Sequence, residues 1–262
     1  MQAMELNFEK YQATGNDFVM IDNRDDFFDK ENKGLISKLC NRRFGIGSDG
    51  LILIEEDDKY DFRMEFFNPD SSKSLCGNGS RCAVRFAKSL GMVKNETEFS
   101  AFDGVHEATV KGELVSLKMR DVSSVILMHD GFFMNTGSPH FVQFVAKINQ
   151  YNVQREGKKI RHGGLFGTSG TNVNFVEEKG DDTIFVRTYE RGVENETLSC
   201  GTGVTAAALA SSYKMLKSPV KIKTRGGNLQ VAFQQSGNNS FKDILLTGPA
   251  EKVFKGSISI KS

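Results

Sequence analysis

The chain has 262 residues, and its 34 basic and 33 acidic side chains leave a formal net charge of +1. Such a balance lacks the excess of basic residues that is typical of proteins that bind nucleic acid or an anionic membrane, so we expect neither as a partner. The length suits one large domain or two of ordinary size, each able to bury its own core. No apolar run reaches about 18 residues and no signal-peptide layout opens the chain, so we expect a cytoplasmic protein with reduced thiols.

Short strands and amphipathic helices alternate in the first half of the chain. "DFVMID" reads as a strand, and residues 32–44 follow a helical pattern with a cap near Asn32. "LILIEE" and "FRMEFF" are typical of strands that end in polar loops. The stretch that follows, "CGNGSRCAVRFAKSLG", predicts a helix that begins directly after Cys76 and stops at Gly91.

Three segments of the first half recur in the second half in the same order. "GNDFV" is echoed by "GSPHFV", "LILIEEDDKYDFRMEFF" by "VNFVEEKGDDTIFVRTY", and "CGNG" by "CGTG". The offsets are 122, 122 and 124 residues. Three ordered matches at nearly one offset predict an internal duplication.

The duplication predicts an α+β protein with two pseudo-symmetric domains, each a curled, mostly antiparallel sheet around a central helix. The second copy of the helix is apolar almost all round over 204–210, which is typical of a helix buried on most sides. We expect one half at residues 1–121, completed by a strand within 250–262, and the other at 122–249. The active site is then expected in the groove between the halves.

The four cysteines, Cys40, Cys76, Cys82 and Cys200, are interpreted by their positions on these helices. Along a helix, Cys76 and Cys82 lie about 9 Å apart, whereas a disulfide needs less than about 7 Å between Cα atoms. Cys40 falls inside a predicted helix beside Leu39, Cys82 falls on an apolar stripe, and both are expected in the core. The spacing of the four histidines fits no zinc site, and we predict no metal.

Cys76 and Cys200 each stand just before a helix whose first turn is flanked by glycines. A helix N-terminus favours thiolate over thiol, and its unpaired N–H groups can hold a carboxylate. Two such thiols on opposite sides of one carbon could remove a proton from one face and return one to the other. The alternative is two packing cysteines at helix starts, with the glycines serving turn geometry.

Several motifs together resemble the diaminopimelate epimerase family over nearly the whole chain. They are "GNDFV", "RRFGIGSDG", "FFNPDSS", "LCGNGSRC", "GSPHFV", "GTNVNFV" and "YERGVENETLSCGTG". The resemblance implies a cofactor-independent isomerase, often a homodimer, that interconverts LL- and meso-2,6-diaminopimelate in lysine and peptidoglycan precursor biosynthesis. The related proline racemases usually have a histidine where this chain has Asn78, and phenazine-pathway isomerases lack the cysteine pair.

By motif, the resemblance implies that Cys76 and Cys200 are the acid and base, and that His140 and Glu190 tune their acidity. It also implies a set of contacts to the amino-acid substrate. These residues are Asn16, Ser48, Asn68, Gly77, Asn78, Ser138, Asn172, Glu190, Arg191, Gly201 and Thr202. Taken alone, each asparagine would be interpreted as a turn residue and Glu190–Arg191 as a local salt bridge.

The chain departs from the family pattern at three places. Ser138 stands where an asparagine is frequent, Ser48 replaces a bulkier polar residue, and the loop before Cys200 is one residue longer. Two other functions therefore stay open at this point: a racemase or epimerase of proline-like or other amino acids, and a non-catalytic small-anion binding protein.

Overall fold

The computed structural model describes residues 4–74 and 76–260 and divides the chain into two compact units. The first unit ends at Leu117 and takes up the chain again at Pro249, and the second is Lys118–Gly248. Among the described residues, no helix is both long and apolar enough to cross a membrane.

Over its described residues, the first unit is a mixed sheet of eight strands with two helices. The strands are β1 (Met4–Ala13), β2 (Asn16–Asp22), β3 (Gly50–Glu55), β4 (Phe62–Phe67), β5 (Glu96–Ala101), β6 (Gly104–Lys111), β7 (Leu114–Lys118) and the final strand β17 (Glu251–Ile260). The helices are α1 (Lys33–Cys40) and α2 (Gly77–Ser89). Five neighbouring pairs are antiparallel, and the pairs β2–β3 and β4–β5 are parallel. Each parallel pair is joined through one of the helices, as parallel neighbours require.

The two helices of this unit cover different parts of the sheet. α2 contacts β1, β2, β3, β4 and β6, so the strands curl around it, and its Cys82, Ala83 and Ala87 are fully buried. α1 closes a second core in which Ile36 and Leu39 pack with Val19 and Leu53. Burying apolar side chains on both helices is the main stabilising term for this arrangement.

The second unit contains nine strands, two α-helices and two short 3-10 helices. Its strands are β8 (Val125–Met128), β9 (Gly131–Asn135), β10 (Pro139–Phe144), β11 (Asn172–Gly180), β12 (Thr183–Glu190), β13 (Asn195–Thr197), β14 (Val220–Lys223), β15 (Asn228–Gly237) and β16 (Ser240–Pro249). Its α-helices are α3 (Val153–His162) and α4 (Gly201–Ser211), and its 3-10 helices are Ile148–Gln150 and Ser212–Lys214. α4 is buried along its length and contacts β9, β10, β11, β12, β14 and β15, which explains its apolar circumference.

The two units repeat one order of strand pairings. β17–β1–β2–β3–β4–β5–β6–β7 in the first corresponds to β8–β9–β10–β11–β12–β14–β15–β16 in the second, with parallel pairs at the same two steps. Only β13 is an addition, paired antiparallel with the end of β12. The predicted fold class, two α+β copies of a mostly antiparallel sheet around a helix, is confirmed.

The first helix is shorter than its sequence pattern predicts. The cap at Asn32 is confirmed, since its side chain accepts a hydrogen bond from the Leu35 N–H. The helix nevertheless ends at Cys40, because Asn41 adopts an extended conformation and its side chain accepts from the N–H groups of Arg43 and Phe44. Continuing the helix to residue 44 was therefore wrong: the Asn41 side chain offers the backbone a turn instead.

Candidate active site

Cys76 is the N-cap residue of α2, so the predicted start of this helix is confirmed. Its Sγ accepts a hydrogen bond from the Gly79 N–H at 3.4 Å, and this donor belongs to the first turn. A Cβ at Gly77 would meet nothing within 4 Å, so the backbone there borders open space. The local geometry therefore offers a thiol, a helix N-terminus and room beside them.

Two asparagine side chains form an ordered relay beside Cys76. Asn16 Oδ1 lies 3.5 Å from Cys76 Sγ and accepts from Asn78 Nδ2 at 3.2 Å. Asn16 Nδ2 donates to the Asp49 carboxylate at 2.7 Å. A carboxylate in this role can only accept, so the Asn16 amide must turn its oxygen toward Cys76.

The carboxylate that orients Asn16, that of Asp49, belongs to a charged cluster. Arg42 binds Asp17 at 2.6 Å and Asp49 at 2.7 Å, and Lys10 binds Asp17 at 2.7 Å. Burial of Asp17 raises its pKa, but the hydrogen bonds from Arg42 and Lys10 outweigh burial and leave the pKa well below its usual range. Asp17 therefore stays ionised at neutral pH and holds the side chains of Lys10 and Arg42 in place beside Asp49.

Cys200 is the N-cap residue of α4 and is 8% exposed. Thr202 Oγ1 lies 3.5 Å from its Sγ. A Cβ on Gly203 would lie 3.3 Å from Cys200 Sγ and only 2.4 Å from Asn174 Oδ1. Glycine is required at 203 because the Asn174 side chain occupies the space of a methyl group.

His140 is fully buried and connects Asn174 to Thr202. Its Nδ1 lies 3.1 Å from Asn174 Nδ2, and its Nε2 lies 2.9 Å from both Thr202 Oγ1 and Ser138 Oγ. Asn174 Oδ1 accepts from the Thr188 hydroxyl, which leaves the amide nitrogen to donate to Nδ1. The imidazole proton must then be on Nε2, facing the two hydroxyls.

His140 is uncharged at neutral pH. Burial is the main cause, and the charge of Arg191 acts in the same direction, so that the pKa of His140 falls to about 3. A neutral His140 contacts the Thr202 hydroxyl, which lies beside Cys200, and brings no positive charge to it.

Asn172 and Ser138 lie beside His140: Asn172 begins β11, and Ser138 directly precedes β10. Asn172 Nδ2 donates to Ser138 Oγ at 3.3 Å and to the Pro139 carbonyl at 3.0 Å. Asn172 Oδ1 accepts from the backbone N–H of Arg191 at 2.9 Å, which fixes the start of the loop after β12. The structure thus brings Ser138, His140, Asn172, Arg191, Cys200 and Thr202 together in the second unit, with Gly201 buried at the first position of α4.

Other predicted contact residues have different surroundings. Asn68 Nδ2 donates within its own loop, to Ser72 and Ser74. Ser48 is buried, and its N–H donates to the Cys40 carbonyl, whereas its neighbour Asp49 contacts Asn16. Glu190 is half-buried at the end of β12. Their predicted contacts with substrate stay predictions.

Cys82 differs from its neighbour six residues earlier. It is a free thiol with no solvent exposure, and burial raises its pKa above the usual range. The expectation that Cys82 belongs to the core is confirmed, and so is the rejection of a Cys76–Cys82 disulfide. Within 4–74 and 76–260, no group of three or more His, Cys, Asp or Glu side chains could hold a metal ion.

Sequence reasoning missed three side chains that organise the site. Arg81, Asp49 and Asn174 hold Asn78, Asn16 and His140 respectively. Arg81 and Asp49 stand inside the quoted motifs "LCGNGSRC" and "RRFGIGSDG", but nothing in one sequence shows which side chains they reach. Asn174 is two residues after Asn172 on β11, and this spacing puts both on one face of the strand.

The fold defines a broad class of protein. A phenazine biosynthesis protein of the PhzF family from Bacillus anthracis matches with a TM-score of 0.73, covering 98% of this chain and all of that one, at 13% identity. A hydroxyproline epimerase from Agrobacterium vitis matches with a TM-score of 0.71 over all of this chain and 93% of that one, at 14% identity. At such low identity these likenesses establish the shared fold alone.

The sequence comparisons go further than the fold. The family model described as diaminopimelate epimerase matches residues 8–125 and again 132–253. The diaminopimelate epimerase of Flavobacterium psychrophilum is 51% identical over 97% of this chain and all of the relative, and that of Aquifex aeolicus is 45% identical over 97% and 98%. The chain belongs to the diaminopimelate epimerase family, and the predicted family is confirmed.

Proposed function

We propose that this protein is a diaminopimelate epimerase that interconverts the LL and meso isomers by proton transfer at one α-carbon, with Cys76 and Cys200 as acid and base. One observation carries the proposal: α2 and α4 each begin directly after a cysteine, at the same step of a repeated topology. Membership in a family whose relatives are named for this reaction supports the substrate.

The reaction needs one thiolate and one thiol. The thiolate takes the α-proton and becomes a thiol, and the electron pair is held on the carbon and its carboxylate. The other thiol then gives its proton to the opposite face and becomes the thiolate, so atoms and charge balance and the configuration is inverted. In the reverse direction the two cysteines exchange roles.

The remaining residues have roles that fit an amino acid with a second amino-acid group at its far end. The N–H groups at the starts of α2 and α4 are suited to the carboxylate at the reacting carbon. Arg191 can bind the distal carboxylate as a two-pronged donor, and Glu190 can accept from the distal ammonium. Asn16, Ser48, Asn68, Gly77, Asn78, Ser138, Asn172, Gly201 and Thr202 complete the proposed substrate contacts.

Solvent deuterium tests the proposal. LL-diaminopimelate incubated with the enzyme in D₂O should gain label at one α-carbon and yield the meso form. Cys76→Ala and Cys200→Ala should each abolish net inversion, whereas Cys82→Ala, the matched control on the same helix as Cys76, should retain it. Label appearing in proline but not in diaminopimelate would favour a proline-type racemase, and binding without label in any amino acid would favour an anion-binding protein.

The setting of the enzyme is part of the proposal. We propose a cytoplasmic homodimer, because two catalytic thiols need a reducing compartment and family members are often dimers. It would act on a small amino acid without cofactor or metal, and would supply meso-diaminopimelate to lysine and peptidoglycan precursor biosynthesis. Nucleic acid and membrane are not expected as partners, given the net charge of +1.

A further inference from the structure

Arg81 is a buried cation in the second turn of α2, five residues after Cys76. Its side chain has no solvent exposure. Nη2 donates to Asn78 Oδ1 at 2.9 Å and to Thr14 Oγ1 at 3.3 Å. The other two nitrogens, Nε and Nη1, are buried and have no hydrogen-bond partner among the described residues, and no described carboxylate forms an ion pair with this guanidinium.

Such an arrangement is unfavourable for folding alone. Each unsatisfied buried donor costs about 1–3 kcal/mol, and an unpaired buried charge costs more. Burial lowers the pKa of Arg81 to about 10, so the side chain still carries its charge at neutral pH. Local rules of stability are broken in this way at functional sites more than elsewhere.

The backbone beside Arg81 is strained as well. Thr14, whose hydroxyl accepts from Arg81, has φ +48°, a left-handed conformation that is rare for a β-branched residue. The turn formed by Thr14 and Gly15 places Asn16 directly after it, at the start of β2. The strained residue, Thr14, and the under-satisfied cation, Arg81, therefore contact each other and flank the Asn16–Asn78 relay.

The groups that could balance the charge of Arg81 are few. Cys82 and Cys76 are the two thiols whose ionised forms would raise the pKa of Arg81. Cys82 stays protonated because it is fully buried. The acidic groups near the relay, Asp17 and Asp49, are held by Lys10 and Arg42. Cys76 is then the neighbour that can present a negative charge to Arg81.

We propose that Arg81 is a positioning residue for Cys76: it fixes the orientation of Asn78 and thereby of Asn16, and its charge stabilises the thiolate form of Cys76. The inference rests on the proposed function only in giving Cys76 an acid–base role. Because Arg81 can only donate, Asn78 must turn Oδ1 toward it and Nδ2 toward Asn16. The relay is thus oriented by a cation at one end and by Asp49 at the other.

The second unit has no such cation at the matching position. The offset of 124 that relates Gly77 to Gly201 relates Arg81 to Thr205. Thr205 is fully buried, and its hydroxyl donates to the Gly201 carbonyl within α4. The buried arginine therefore lies near Cys76 and has no counterpart at the matching position near Cys200. Cys200 can thus serve as an internal control in the same molecule.

The test is the pH dependence of alkylation at each cysteine, measured by mass spectrometry after brief iodoacetamide treatment. In Arg81→Met, half-maximal alkylation of Cys76 should move to higher pH by about one unit or more, since an opposite charge nearby typically has an effect of about 1–3 units. The Cys200 profile should not move. Arg85→Met is the matched control, because Arg85 is on α2 but donates to the Gly112 and Ala250 carbonyls.

Arg81→Lys provides the second variant if Arg81→Met does not fold. It keeps the charge, so the Cys76 profile should stay within about half a pH unit of the wild type, although turnover falls because one ammonium replaces the guanidinium fork. The proposal is overturned by an unchanged Cys76 profile in folded Arg81→Met, by equal shifts at Cys76 and Cys200, or by a full-unit shift in Arg81→Lys. Alkylation needs no substrate, so these outcomes are independent of whether the epimerase assay succeeds.

Discussion

Replacing Thr202 by valine removes one hydroxyl from the connection between His140 and Cys200. Valine has nearly the same shape as threonine, and the Thr136 hydroxyl bonds the backbone carbonyl of residue 202, so that contact survives the substitution. His140 also keeps Ser138 Oγ at 2.9 Å as an acceptor for its Nε2 proton. What is lost is the hydroxyl 3.5 Å from Cys200 Sγ.

The size of the effect follows from the charge on sulfur. A hydrogen bond to a charged group contributes about 1.5–3 kcal/mol, which corresponds to a loss of about tenfold to 150-fold in rate. We therefore expect kcat of Thr202→Val to fall within this range, both from LL to meso and from meso to LL. Half-maximal alkylation of Cys200 should move to higher pH, while the profile of Cys76 stays in place.

Thr205→Val is the control for this experiment. Thr205 is on the same helix as Thr202, and its hydroxyl donates to the Gly201 carbonyl. The Thr205→Val variant therefore loses a buried hydroxyl but keeps the Thr202 hydroxyl beside Cys200. The assay follows both directions by the change in optical activity. If Thr202→Val retains full turnover, or if Thr205→Val loses as much, the Thr202 hydroxyl is not what stabilises the thiolate.

Two further predictions concern stability. Cys82→Ala should lower the free energy of unfolding by about 1 kcal/mol in urea titrations and leave turnover intact, because the thiol only fills core space; a loss of turnover in the folded variant would contradict this. The pKa of His140 is about 3 in the folded protein, whereas an unfolded histidine binds a proton below about pH 6.5. Only the unfolded chain is protonated at this residue between these two values, so the free energy of unfolding falls as the pH drops from about 6.5 toward 3. Between pH 7 and pH 5 this contributes about 2 kcal/mol of destabilisation, which His140→Gln should lack; parallel stability curves for the two proteins would refute a neutral buried histidine.

The fold was predictable from the sequence because the duplication provides two copies of the same pattern of strands and helices. The echoes of "GNDFV" and "CGNG" identify matching steps of the two units, and the apolar circumference of α4 predicts its burial. The end of α1 was not predictable from periodicity. A Cβ on Gly45 would lie 1.8 Å from the Lys38 carbonyl oxygen, so the chain turns back tightly against the helix end, and this tertiary contact has no periodic signal.

The candidate site was predictable where residue type and position along the chain decide the chemistry. A cysteine before a glycine-flanked helix start is such a case, and both helices begin where expected. The supporting side chains depend instead on strand register. His140 pairs with Asn172 across the parallel strands β10 and β11, and that register brings Asn174 onto the imidazole. A shift by one residue would turn Asn174 to the other face, and nothing local in the sequence fixes that choice.

The two units solve one chemical problem with different side chains. In a reversible two-thiol reaction each cysteine must be stable as thiol and as thiolate. For Cys76, Asn16 Oδ1 can accept from the S–H, while the Gly79 N–H and the proposed charge of Arg81 favour the thiolate. For Cys200, the Thr202 hydroxyl can serve both states, because it accepts from a thiol in one rotamer and donates to a thiolate in another. The duplication therefore repeats the position of the sulfur but not its stabilisation, and substitutions at matching positions, such as 81 and 205, are expected to have unequal effects.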